Sequence, residues 1–299
     1  MKLVVLDIGG TSIKYAKYED GILKNFSERS TDAKKGGAYV VQNAVEIIQS
    51  LKPFDGIGIS TAGQVDSASG CIRYANENIP GYTGMKIREI LENEFGVPTA
   101  VENDVNAAAL GEGYFGAAKG MSEYLCLTYG TGVGGAVVID GKIFKGFAGS
   151  AGEFGSMIIH GEEVRQDVRI SGCYEDYAST SALVRRVSKE AIQVANGREV
   201  FEHIDMPEVK RVVDDWIQEI AHGLVTLIHV FNPRSVIIGG GVMVQEYVAE
   251  SVRTVVSERI MPSFRDVEIS VASLGNKAGL WGAVYIAEQK LKIPETTIL

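Results

Sequence analysis

Lys2-Leu3-Val4-Val5-Leu6-Asp7-Ile8-Gly9-Gly10-Thr11 opens the chain, and its plan returns at Tyr124-Leu125-Cys126-Leu127-Thr128-Tyr129-Gly130-Thr131-Gly132-Val133-Gly134-Gly135. Each stretch reads as a buried strand, over residues 2–6 and 124–127, that runs into a polar turn rich in glycine. A second strand follows in each, at 12–18 and 136–139, then the turns Glu19-Asp20-Gly21 and Asp140-Gly141-Lys142, then a third strand from Ile22 and from Ile143. The spacing matches: Gly10 to Gly21 and Gly130 to Gly141 are both 11 residues. Further out, an apolar stripe at near-3.6 spacing predicts a helix over 39–51, and a strand over 56–60 ends at Thr61-Ala62-Gly63. The later half has a long helix over 209–231, closed by Asn232-Pro233, and a strand over 235–238 that stops at Gly239-Gly240-Gly241. Matched order across so many elements argues for a duplicated unit rather than two unrelated meanders.

Two such halves facing each other would bring both glycine turns to one cleft. Backbone N–H groups and Thr hydroxyls without side-chain bulk suit the phosphates of a nucleoside triphosphate. Composition agrees: 35 of 299 residues are glycine, above the usual share of about 7%, with only 7 prolines and no strict glycine period. The formal net charge of −9 and the absence of a basic run argue against nucleic acid as a partner. No uncharged run is long enough for a membrane span or a signal-peptide core. Three scattered cysteines (Cys71, Cys126, Cys173) form no disulfide framework, and a cytoplasmic location is expected.

These stretches resemble the superfamily that joins sugar kinases with actin, and within it the ROK family of bacterial sugar kinases. Asp7-Ile8-Gly9-Gly10-Thr11 resembles the first phosphate motif and 127–135 the second; Glu102-Asn103-Asp104-Val105-Asn106 resembles the catalytic segment, Gly152-Glu153-Phe154-Gly155 the sugar segment and Gly239-Gly240-Gly241 the adenosine segment. Asn276-Lys277-Ala278-Gly279-Leu280-Trp281-Gly282-Ala283 resembles the closing stretch, so the likeness runs in order almost end to end. It implies two actin-like (ribonuclease H-like) α/β domains flanking a substrate cleft, over 1–112 plus 285–299 and 113–284, with a final helix at 280–290 that crosses back to the first domain. It also implies ATP-dependent transfer of a phosphoryl group to a sugar hydroxyl, with Mg²⁺ bridging the phosphates, and a homodimer.

Phosphoryl transfer asks mainly for positioning and charge stabilisation. By the resemblance Gly9, Gly10 and Thr11 would hold the phosphates with Thr131, Gly132 and Gly134, while Gly240 and Gly241 would take the nucleoside. Asp7, otherwise a turn residue bonding its own backbone, would approach Mg²⁺ through water. Asp104 follows a strand over 99–102 and precedes a helix over 105–114, which makes it a natural N-cap whose ionised form the helix field favours. The resemblance makes it the general base. Asn103, Glu153, Ser156, Glu175 and Gly63 would surround the sugar.

Two departures from the family matter. Ser156 stands where members usually carry His, which would leave the anomeric end of the sugar less enclosed. Of the cysteines that hold a structural zinc in many members, the stretch 166–175 keeps only Cys173, which with His160 cannot close a tetrahedral site, so no zinc is expected there. Both departures resemble the zinc-free branch of β-glucoside kinases, acting on the 6-hydroxyl of the glucosyl unit of substrates such as cellobiose. Glucokinase and N-acylmannosamine kinase are the alternatives.

Rival readings fail on context. Gly130, Gly132 and Gly135 satisfy a dinucleotide fingerprint, but a strand follows where that fingerprint needs a helix. The protein-kinase His-Arg-Asp and the Walker A sequences are absent. A sugar-responsive regulator would need a DNA-binding segment, for which the six residues before Asp7 leave no room; a non-catalytic sugar sensor should have lost Asp104 or a glycine turn. His222, His229, Trp216 and Trp281 are read as packing or interface residues, and Cys126 as a small buried hydrophobe.

Overall fold

A computed structural model describes residues 1–166 and 171–292. Its backbone contacts divide into two units: Met1–Lys119 with Lys145–Ser150 and the chain from Asn276 form the first, and Gly120–Phe144 with Ala151–Gly275 the second. These bounds differ from the expected ones in three places: residues 113–119, the short segment 145–150 and the whole final helix go with the first unit.

The first unit opens on the meander β1 (Lys2–Ile8), β2 (Ser12–Glu19) and β3 (Ile22–Ser30), then α1 (Gly37–Ser50), β4 (Gly56–Thr61), the small hairpin β5 (Gln64–Asp66) and β6 (Cys71–Tyr74), α2 (Ile87–Phe95), β7 (Thr99–Asn103) and α3 (Asp104–Phe115). The sheet order is β3-β2-β1-β4-β7, with β1, β4 and β7 parallel. The second unit carries β8 (Tyr124–Tyr129), β9 (Val133–Ile139), β10 (Lys142–Ile143), α4 (Tyr174–Ala178), α5 (Thr180–Glu190), α6 (Gly197–Glu202), α7 (Pro207–Phe231), β11 (Ser235–Gly239), α8 (Glu246–Arg259) and β12 (Glu268–Val271). Its order, β10-β9-β8-β11-β12, repeats that of the first sheet, again with three parallel strands, β8, β11 and β12.

The duplication extends to the turns. Asp20-Gly21 and Asp140-Gly141 are both two-residue hairpin loops with positive φ at both positions (56° and 79°; 52° and 68°), the twist that suits paired strands and that Asp-Gly readily supplies. The copies differ between third and fourth strands, where among the described residues the first has one α-helix and the second has four; there the buried Trp216 donates its indole N–H to the carbonyls of Ala178 and Ser179.

Alternation along β1 sorts two cores. Leu6 and Ile8 face α1 and α2 with Ile57, Ile59 and Val101, while Leu3 and Val5 face the last helix, α9 (Ala278–Lys292), through Leu280, Ala283, Val284 and Ala287. Helices α3 and α9 pack backbone to backbone: a Cβ on Gly282 would lie 1.8 Å from the Ala107 carbonyl oxygen. That contact gives the closing glycine motif a packing cause. Among the described residues no helix is long and apolar enough to cross a membrane.

Candidate active site

In the first unit the predicted residues gather at the carboxyl ends of three parallel strands, where open α/β sheets bind ligands. Register explains the gathering. Asp7 pairs with Ser60, and Ser60 with Glu102, so these side chains emerge on one face; Thr61 pairs with Asn103 one residue further on. Asp7 is thus a strand residue, not the turn residue expected, because β1 stays paired on both sides through Ile8. Its carboxylate accepts the Ser60 hydroxyl at 2.6 Å and stands 3.7 Å from Lys14 Nζ. Gly9, Gly10 and Thr11 form the following turn, closed by Gly9 N–H to the Ser12 carbonyl at 2.9 Å and tied by the Thr31 hydroxyl to the Gly9 carbonyl at 2.7 Å. Nothing lies within 4 Å of where a Gly10 Cβ would be, which leaves its backbone open to an approaching group.

Asn103, rather than Asp104, caps α3: its Oδ1 accepts the N–H groups of Val105 (3.0 Å) and Asn106 (3.1 Å). The extended backbone of β7 runs through Asn103, and helical geometry starts only at Asp104. The Asn103 amide donates to the Gly63 carbonyl and to Asp104 Oδ1, both at 2.9 Å, so its hydrogen-bonding capacity is used within the chain and it orients Asp104. Asp104 Oδ1 also accepts Val105 N–H at 2.9 Å. Burial, and secondarily the charge of Asp7, push the Asp104 carboxyl up to about 7. Asp7 is raised as well, by its own burial, against the opposing pull of Ser60 and Lys14. Burial makes ionisation of both carboxylates costly, and Asp7 adds to that cost at Asp104; a divalent cation would offset it, which fits Mg²⁺.

Glu102, Ser67 and Lys145 complete this cluster and carried no separable signal in the sequence. Buried Glu102 accepts from Ser67 Oγ (2.6 Å) and Lys145 Nζ (3.2 Å) on one oxygen, and from Asn103 N–H (3.0 Å) and Asn106 Nδ2 (3.2 Å) on the other. It braces the strand-to-helix corner that presents Asp104. Glu102 was legible only as part of its motif; Lys145 is distant in sequence and arrives with the segment 145–150.

The second unit has its own cluster, also at strand carboxyl ends. The turn between β8 and β9 is only Gly130-Thr131-Gly132; Gly134 lies inside β9, paired with Thr128, so it is less available than expected. Thr131 is exposed, and the space beside Gly130 and Gly241 is open to 4 Å. Gly240, at φ 123°, sits so close to the end of β8 that a Cβ would fall 2.2 Å from the Tyr129 carbonyl oxygen. Glu175 bends onto the same turn: it accepts Val133 N–H at 3.3 Å, and a Cβ on Gly132 would lie 2.4 Å from its carboxylate. A predicted sugar contact and a predicted phosphate contact are therefore neighbours. Glu153 and Ser156, both exposed, bracket one turn, with Ser156 N–H donating to the Glu153 carbonyl at 3.1 Å.

The stretch 166–175, where zinc-bearing members carry their cysteines, falls partly on residues 167–170, outside the described residues. Cys173 is buried, donates to Asp176 Oδ2 at 3.1 Å, and has its thiol pushed up to about 11 by burial and by that acceptor.

The family model of the ROK family matches residues 3–290. A β-glucoside kinase of Listeria innocua is 32% identical over 303 residues, covering 95% of this chain and 97% of its own length. A ROK hexokinase from Thermus thermophilus is similar in structure at a TM-score of 0.82 and 33% identity, over 98% of this chain and 99% of that one. A ROK family glucokinase from Streptomyces griseus, solved with glucose and AMPPNP, is similar at a TM-score of 0.81 and 28% identity, over 97% and 100%.

Proposed function

The chain belongs to the ROK family, and from that premise we propose that it is an ATP-dependent sugar kinase with Asp104 as general base. The observation that carries this reading is the Asp104 carboxyl, held by Asn103 at the start of α3 with its pKa pushed up to about 7. A base poised near the working pH exchanges a proton most effectively. Its carboxylate takes the proton of a sugar hydroxyl as that oxygen bonds to the terminal phosphorus; the bond from that phosphorus to the bridging oxygen breaks, giving ADP and a sugar phosphate. In the first unit Gly9, Gly10 and Thr11 offer backbone groups to phosphates; in the second, Thr131 and Gly132 do so, and Gly240 with Gly241 borders the nucleoside. Asp7 would hold Mg²⁺, which when bound offsets phosphate charge. The relative solved with AMPPNP supports ATP as donor.

For the acceptor, the reading is the 6-hydroxyl of the glucosyl unit of a β-glucoside such as cellobiose. The small, exposed Ser156 next to Glu153 supports room for a substituent at C1, as does the similarity to a β-glucoside kinase. Glucose is the second reading, favoured by the similarity to a glucokinase. Release of ADP from ATP-Mg²⁺ with cellobiose, an aryl β-glucoside, glucose, N-acetylmannosamine and fructose tests both. Higher kcat/KM for the two β-glucosides than for glucose is expected. Preference for glucose or N-acetylmannosamine would overturn the subtype, and no turnover on any of the five would overturn the kinase reading for these sugars.

A further inference from the structure

His160, Glu219 and His222 converge on the surface of the second unit, and none of them has a part in the phosphoryl transfer proposed above. His160 Nε2 is 2.8 Å and His222 Nδ1 3.3 Å from the same oxygen, Glu219 Oε2, and one donor atom from each of the three lies within 4.8 Å of the others. A tetrahedral ion with bonds of about 2.0–2.1 Å needs neighbouring donors about 3.3 Å apart, so small side-chain adjustments would seat one. The chemistry of the set is that of zinc-type ions: two imidazoles and one carboxylate, with the fourth position left to water.

The side chains are supported as ligands usually are. His160 Nδ1 meets Glu162 Oε1 at 3.3 Å, which leaves Nε2 to point at Glu219, and its ring lies against Tyr177 with centroids 4.1 Å apart. The His160 backbone is anchored by its own N–H and that of Ile159, which donate to the Gly172 carbonyl at 3.1 and 3.0 Å. The approach requires glycine, since a Cβ on residue 172 would fall 2.4 Å from the His160 carbonyl oxygen. Glu219 and His222 stand three apart on α7, one above the other, and a hollow lined by Ile158, Thr226 and Arg259 opens beside His222 as an entry path. His229, seven residues further along α7, takes no part: its Nε2 accepts Met261 N–H at 3.1 Å.

The geometry points to a binding site for one divalent transition-metal ion of the Zn²⁺ class, held by His160, Glu219 and His222. Of the zinc residues weighed in the sequence, His160 and Cys173, the set uses His160 alone and adds Glu219 and His222 from α7; it does not depend on the kinase reading. Titration of the metal-stripped full chain with Zn²⁺ against a chromogenic chelator should show uptake of one ion per chain, and Co²⁺ should give the visible bands of a tetrahedral nitrogen and oxygen site. His222→Ala, on the solvent side, and Glu219→Gln should each weaken Zn²⁺ at least about tenfold and abolish the Co²⁺ bands. Glu162→Gln should weaken it about tenfold or more through His160, and His229→Ala should leave it unchanged. Failure to take up one equivalent, or uptake and bands unaltered by His222→Ala and Glu219→Gln, would overturn the site. Circular dichroism of each variant checks its fold.

Discussion

Asp104→Asn should trade activity for stability, and the size of the trade follows from the environment of the carboxyl. Asparagine keeps the Oδ1 acceptor used by Asn103 and Val105 and removes only the charge. The wild-type group has an ordinary value of 3.8 and a folded value of about 7, so between these pH values the folded chain retains a proton that the unfolded chain has lost. Folding stability therefore falls as pH rises through that window. Three pKa units correspond to about 4 kcal/mol, and water reaching the partly exposed carboxyl brings the expectation to about 2–4 kcal/mol. The stability gained by Asp104→Asn should be near zero below pH 4, grow between pH 4 and 7, and level off above. Urea denaturation at several pH values, without sugar or Mg²⁺, reads it. Each unit holds one tryptophan, Trp281 in the first and Trp216 in the second, so in a Trp216→Phe background fluorescence follows the first unit alone. Turnover should drop by about 10²–10⁴-fold at pH 7 and above, and by less at lower pH, where the wild-type carboxyl is itself protonated. A stability difference that stays flat from pH 4 to pH 8 would refute the argument from burial and the Asp7 charge.

Three further outcomes are expected. In the wild type, kcat/KM should rise with pH and bend near 7, the value of the free enzyme's Asp104; a bend near 4 would place the base elsewhere. Glu102→Gln turns an amide N–H₂ toward Ser67 and Lys145, so kcat should fall about tenfold with KM little changed, and Lys145→Met in the same chain should restore part of it; an equal rise in KM alone would make Glu102 a binding residue. Gly282→Ala forces α3 and α9 apart and should cost about 3 kcal/mol in denaturant unfolding, whereas Gly21→Ala, with open space around it, should reflect only its backbone conformation and cost about 1 kcal/mol.

What the sequence made legible was periodic or punctuated. The meanders, their Asp-Gly turns and the duplicated order follow from alternation and glycine placement, and both sheets have the same strand order. The candidate site was legible where a motif is contiguous, as in Asn103-Asp104. It was misjudged by one residue where capping decides: a strand that carries its extended backbone through Asn103 makes that residue, not Asp104, the N-cap. Lys14, Ser60 and Lys145 were invisible because they join Asp7 and Glu102 only through cross-strand register or a distant segment, which local patterns do not encode. The pairing of Glu175 with Gly132 was hidden for the same reason.

The return of α9 to the first unit sets a timetable for biosynthesis. Leu3, Val5, Ala16 and Tyr18 pack beside Leu23 and Phe115 and are covered by Leu280, Ala283, Val284 and Ala287, yet the rest of that unit's main stretch is complete at Lys119. About 160 residues separate Lys119 from Leu280, which at about 5–20 residues per second leaves an apolar sheet face without its covering helix for some 10–30 s on the ribosome. The second unit is contiguous apart from six residues and is finished first, although it begins later. A nascent chain released before residue 280 would carry a folded second half joined to a sticky first half, so stalling or truncation late in translation should yield aggregates rather than a soluble half-protein.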